Sequence, residues 1–128
     1  MGVSYKGGAE RYHSINDNVS KVSQSYDYNN GYFGEPGTGN KVRIIYSDDP
    51  ASTGKDFYDK IAYGGIETYL DEDNPSKGVK TEMADGTIIT FRPTTKSDDN
   101  PGVDINIEYS NNHGDLKKQK IHFEKGEN

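Results

Sequence analysis

Cysteine is absent from the 128 residues, and so is tryptophan. Without Cys there is no disulfide scaffold, no Cys-type zinc site and no thiol nucleophile. This absence leaves the compartment open. Apolar residues are scarce too, 30% of the chain against 28% charged. No apolar run approaches the roughly 18–20 residues of a membrane span. The opening Met1-Gly2-Val3-Ser4-Tyr5-Lys6 lacks the apolar stretch of a secretory signal, so none is expected in this chain. Three His are too few and too scattered for an obvious metal cage, and no metal or cofactor is expected. Basic residues are in deficit, with a net charge of −6. That disfavours a general nucleic-acid binder, which is usually basic. The charge is uneven, however. Residues 61–115 carry eleven Asp/Glu and four Lys/Arg, whereas residues 116–128 carry four Lys and two Glu. A local basic site on an acidic body is therefore allowed.

The length suits one domain, taken as residues 1–128. Fifteen Gly and five Pro point to a loop-rich chain, and ten Tyr against four Phe to burial by rings with a polar end. Residues 1–40 read as a helical and loop segment, and residues 41–128 as a helix plus an antiparallel sheet. Ile15, Val19 and Val22 fall at i, i+4, i+7 behind Ser14, which predicts a short amphipathic helix. Residues 29–40 read as loop. Gly34 to Gly39 superficially resembles a phosphate loop, but Asn40-Lys41 follows where Gly-Lys-Ser/Thr is needed. Val42-Arg43-Ile44-Ile45-Tyr46 predicts a strand. Asp48-Asp49-Pro50 then starts a helix whose apolar stripe is Phe57, Tyr58, Ile61 and Ala62, ended by Gly64-Gly65. The acidic stretch 71–78 does not fit a calcium loop, because Pro75 and Ser76 stand where a ligand and a Gly belong.

The second half reads as β structure. Strands over 79–83 and 87–92 flank Ala84-Asp85-Gly86, a hairpin signal. Val103, Ile105, Ile107 and Tyr109 alternate with Asp104, Asn106 and Glu108, and Ile121 and Phe123 alternate with Lys120 and His122. Helices first and an antiparallel sheet after them predict an α+β domain.

This alternation has a chemical consequence. If Ile89 and Phe91 pack on the helices, Thr90 and Arg92 face the other side. The same parity puts Asp104, Asn106, Lys120 and His122 there, and the loop Pro93-Thr94-Thr95-Lys96-Ser97 adds hydroxyls and a Lys at the edge. Metal-free RNA cleavage needs a base for the ribose 2′-hydroxyl, an acid for the leaving 5′-oxygen, and cations or hydroxyls for the transition state. His122 suits the proton transfers. Arg92 offers a phosphate-matching fork, Lys120 a compact charge, and Ser97, Thr95 or Thr94 a hydrogen-bond donor. The same residues also fit plain readings. Arg92 and Lys120 opposite Asp104 make cross-strand ion pairs on a solvated face. His122 serves equally as a structural strand residue, and Ser97 as a turn cap. His13 fits a cap, a packing residue or a distant catalytic partner, His113 a loop residue, and Tyr26, Tyr28 and Tyr32 either base stacking or packing.

One ordered string goes further: Asp85-Gly86-Thr87-Ile88-Ile89-Thr90-Phe91-Arg92-Pro93, then Ser97-Asp98, Pro101-Gly102-Val103-Asp104-Ile105 and Gln119-Lys120-Ile121-His122-Phe123. Asp49-Pro50, Phe57-Tyr58-Asp59-Lys60 and Gly64-Gly65 precede it. Over about residues 42–124 the chain resembles the C-terminal toxin domains of bacterial polymorphic toxins, of the contact-dependent inhibition, Rhs/wall-associated and LXG types. Such domains are similar to the barnase/EndoU/colicin E5/RelE group of ribonucleases. The resemblance implies N-terminal helices packed on a twisted antiparallel sheet. It implies metal-independent cleavage of RNA, often transfer RNA, to a 2′,3′-cyclic phosphate, and a cognate immunity protein that covers the site. It also implies a larger secreted or cell-surface bacterial effector that acts in the target-cell cytoplasm. The matching positions are His122, Arg92, Lys120 and the hydroxyl loop at Thr95 and Ser97, with Thr94, Lys96 and Asp104 on the substrate side. Which loop hydroxyl acts stays open. The rival expectation is a non-catalytic interaction module, an immunity or adaptor domain, using the acidic residues of 67–85.

Overall fold

Local capping decides where the first helix starts. Asp17 accepts the Ser14 backbone N–H at 3.0 Å, and the Ile15 N–H is taken by the buried carboxylate of Asp85 at 2.7 Å. The computed structural model describes residues 4–39, 41–95 and 99–126. In it α1 spans Ile15–Val22 and buries Ile15, Val19 and Val22. Its fourth buried residue, Asn18, donates at 2.8 Å to the carbonyls of Ile61 and Tyr63, so one amide satisfies chain ends left over by the second helix.

That second helix, α2, spans Pro50–Ile61 with Asp49 as N-cap and Pro50 in the first turn. Phe57, Tyr58, Ile61 and Ala62 are fully buried. Phe57 is held edge-on by Tyr26 and Phe33 and lies 5.6 Å from Phe123, while Tyr58 stacks on Phe91 at 5.3 Å. These rings centre the core, which lies between the helices and one face of the sheet.

The small strands β1 (Tyr28–Asn29) and β2 (Tyr32–Phe33) form a hairpin. Its turn, Asn30-Gly31, has positive φ at both residues, 54° and 89°, which is what the tightest hairpin connection demands. Among the described residues the main sheet has seven strands: β3 (Glu35–Pro36), β4 (Val42–Ser47), β5 (Ile66–Tyr69), β6 (Val79–Glu82), β7 (Ile88–Arg92), β8 (Gly102–Asn106) and β9 (Gln119–Lys125). Their spatial order is β3-β4-β9-β8-β7-β6-β5.

The protein is thus α+β, with two helices on a large mixed sheet. Two expectations need correction. The sheet is not wholly antiparallel, because β4 runs parallel to β9. A parallel neighbour needs a long connection, and everything from α2 to β8 lies between these strands. The helices also do not all precede the sheet, since β3 and β4 come before α2. The strand read as reaching Tyr109 stops at Asn106. There the Asn106 side chain accepts the Glu108 N–H at 3.0 Å and Ser110 N–H returns to the Ile107 carbonyl. This turn breaks the alternation and leaves Tyr109 71% exposed. Among the described residues no helix is long and apolar enough to cross a membrane.

Candidate functional site

Side chains of the sheet divide by parity. Ile45, Thr81, Ile89, Phe91, Val103, Ile105, Ile121 and Phe123 are buried toward the helices. Their strand neighbours form the opposite, open face, where side chains are exposed or half-buried. Register fixes the rows on that face. Val42, Lys120, Asp104, Thr90 and Lys80 lie in one line across the sheet, and Ile44, His122, Gly102 and Arg92 lie in the next. Arg92, Asp104, Lys120 and His122 therefore share one face, from three adjacent strands.

The residue between Arg92 and His122 is Gly102, which places no side chain there. Neighbouring strands are about 4.8 Å apart, so a gap of two strand spacings separates the Arg92 and His122 backbones. Thr95 roofs this gap: a β-carbon on Gly102 would come 3.0 Å from the Thr95 Cγ2. The Thr95 N–H donates to the Asn100 carbonyl at 3.2 Å, which anchors the loop over the start of β8. Thr94 is exposed in the same loop. Lys96 and Ser97 lie outside the described residues.

The charges are distributed unequally. The Arg92 Nη1 donates to the Asp104 carboxylate at 3.0 Å. Lys120 lies opposite Asp104 in register, yet it makes no ion pair among the described residues. His122 is half-buried and has no hydrogen-bond partner among them. Within that set the face thus offers one guanidinium held by a carboxylate, one free ammonium and one free imidazole around a glycine that the Thr95 methyl covers. No cluster of His, Asp and Glu suited to a metal ion occurs among the described residues.

Beside these rows lies a cleft of about 490 Å³ lined by Lys41, Val42, Ile88, Thr90, Asp104, Asn106, Lys118 and Lys120, among others. Gly102, Lys41 and Lys118 were not singled out from sequence. Gly102 shows its importance only once register places it between Arg92 and His122. Lys41 and Lys118 carry a weak signal, each just before a strand of the parallel pair.

The other candidates sit elsewhere. His13 lies on the helix side, its Nδ1 3.3 Å from the Asn18 Oδ1 and its ring edge-on to Tyr63. Tyr26 donates to Asp56 at 2.5 Å and Tyr28 to Asp115 at 2.7 Å. Burial first, and then each carboxylate, push both phenols above the usual tyrosine range. Tyr32 packs under the Arg43 guanidinium at 5.0 Å. These three rings are spent on packing. The acidic residues of 67–85 do not form one face. Glu67 pairs with Lys6 at 2.9 Å on the helix side, Glu82 lies on the open face, and Asp85 is buried. Compared with known proteins, the chain matches no family model, no curated protein and no solved structure.

Proposed function

We propose that the open face is the active site of a metal-independent ribonuclease. The observation that carries this reading is the row Arg92–Gly102–His122, with Lys120 two residues from His122 on the same strand face. A phosphodiester laid along the Gly102 row, against Thr95, has a guanidinium on one side and an imidazole on the other, with the Lys120 ammonium one row away. His122 takes the proton of the ribose 2′-hydroxyl, and the 2′-oxygen attacks phosphorus. The bond to the 5′-oxygen breaks, and the imidazolium just formed is the proton source for that leaving oxygen. Arg92 and Lys120 neutralise charge building on the phosphoryl oxygens. Asp104 holds the Arg92 fork in place. Thr95 covers the row with its methyl and limits how the phosphate can sit. The products are a 2′,3′-cyclic phosphate and a free 5′-hydroxyl.

The string from Asp85 to Phe123 supports the narrower reading. On it the chain is the toxin domain of a bacterial effector with a fold of the barnase/EndoU/colicin E5/RelE kind. It cuts transfer RNA in a competing cell and is neutralised by an immunity protein. The test is incubation of the purified protein with total transfer RNA in EDTA. Cleavage to cyclic-phosphate ends is expected from the wild type and not from His122→Ala with an unchanged melting temperature. Intact RNA with the wild-type protein overturns the reading.

A further inference from the structure

We infer that the cleft between Lys41, Lys118 and Lys120 is a second binding subsite, built for one unpaired nucleotide of the RNA strand next to the scissile phosphate. This rests on the ribonuclease reading for the position of the scissile bond, but the subsite itself stands on its own geometry.

Because β4 and β9 run parallel, both enter the sheet at the same corner. The Lys120 N–H donates to the Lys41 carbonyl at 2.8 Å, and Val42 is the register partner of Lys120. Lys41 and Lys118, just before the two strands, therefore meet at one end of the cleft, with Lys120 on its wall. None of the three forms an ion pair among the described residues. The one carboxylate lining the cleft, Asp104, is engaged by Arg92. On a chain of net charge −6, three ammoniums around one cavity, uncompensated among the described residues, mark a place for an anion.

The remaining walls ask for more than a phosphate. A volume of about 490 Å³ is the size of a small-molecule pocket and far exceeds what a lone anion fills. Val42 and Ile88 supply apolar surface for the face of a planar ring. Asn106 uses its Oδ1 on the Glu108 N–H, which leaves the amide Nδ2 as a donor, and Thr90 adds a hydroxyl. Cations at one end, apolar walls and an amide on the floor match a phosphate, a base face and a base edge. A paired and stacked base has no free face or edge to offer these walls, whereas an unstacked one in a loop or single strand has both.

The test uses His122→Ala, so that RNA is not consumed, and a fluorescein-labelled oligouridylate followed by anisotropy. Adding Lys41→Gln and Lys118→Gln should weaken binding tenfold or more. It should also reduce the slope of log affinity against log salt by about 0.7 for each phosphate that is no longer neutralised. An RNA duplex and a base-free polyanion such as polyphosphate should compete poorly. Unchanged affinity and slope in the lysine variant overturn the subsite. So does equal competition by duplex, which removes the single-strand requirement, or by polyphosphate, which reduces the cleft to a charge patch. Tight, lysine-dependent binding with wild-type protein that leaves RNA intact would retain the subsite and discard the nuclease. Cleavage without lysine-dependent binding would do the reverse.

Discussion

Gly102→Val separates the chemistry of the open face from the stability of the sheet. Gly102 is a strand residue without a positive φ, so the backbone accepts a β-branched side chain. Strand preference alone favours the change by something under about 1 kcal/mol. Against this stands the approach to Thr95, where even a bare β-carbon would come 3.0 Å from the Cγ2. Thr95 is half-buried, and its loop must yield by a few tenths of an ångström for a β-carbon and by more for the γ-methyls of valine. The two effects oppose each other, and the loop, rather than the sheet, takes up the displacement. Thermal melting should therefore shift by no more than about 4 °C. The valine methyls, however, stand in the gap between Arg92 and His122, where the proposed mechanism puts the phosphodiester. A displacement of about 1 Å from attack geometry costs on the order of 100-fold. The expected variant is folded, melts near the wild type and cleaves transfer RNA about 100-fold more slowly. Gly102→Ala, which adds only the β-carbon, should fall between the two. A Gly102→Val protein with wild-type melting and wild-type cleavage would show that no phosphate sits over Gly102.

Two further outcomes concern the scaffold. The buried Gln119 accepts the Phe33 N–H at 2.8 Å and donates to the Gly31 and Lys117 carbonyls at 2.9 and 2.7 Å. Gln119→Ala orphans the Phe33 N–H and the Lys117 carbonyl, whereas the Gly31 carbonyl keeps the Lys117 N–H at 3.0 Å. The change should cost about 2 kcal/mol in urea unfolding; a loss below about 1 kcal/mol would mean that the hairpin reseats itself. Acid should also weaken the fold. Hydrogen bonding to Arg11 lowers the Asp17 pKa. For Asp59, burial raises the pKa, but the hydrogen bonds from Lys55 and Lys6 outweigh it, so the net shift is downward. Carboxylates depressed in the folded state stabilise it above their unfolded pKa of about 4 and lose that contribution as pH falls through the folded value. The urea midpoint should be flat from neutrality down to about pH 5 and fall below about pH 4. Asp17→Asn should show a shallower fall, and an unchanged profile would remove that ion pair from the account.

The parts of the fold legible in sequence were those where one face is wet and the other dry. In β7, β8 and β9, Ile89, Phe91, Val103, Ile105, Ile121 and Phe123 alternate with polar partners. That parity placed Arg92, Asp104, Lys120 and His122 on one face before any strand order was known. Capping signals did the same for α1 and α2. The edge strand β5 escaped notice because all four of its residues, Ile66–Tyr69, are exposed and no burial pattern exists to read. The β1–β2 hairpin was hidden in a segment whose composition reads as loop, although its Asn30-Gly31 is a strong turn signal; strands of two residues are too short to alternate. Parallel pairing of β4 with β9 is a long-range choice that neither segment carries locally. The same choice created the Lys41–Lys118 corner, which is why the cleft could not be foreseen from spacing.

The place of β9 in the order of strands has a bearing on how the protein is made. Among the described residues it is the last strand in sequence, yet it sits inside the sheet, with β4 on one side and β8 on the other. It also brings both Lys120 and His122. Until this ribbon docks, the early and late portions of the sheet share no backbone ladder, and the open face lacks its imidazole. Contacts between segments so far apart in sequence form slowly. On the ribonuclease reading, a chain in which β9 has not docked cannot cut RNA. Architecture and chemistry are completed in a single step.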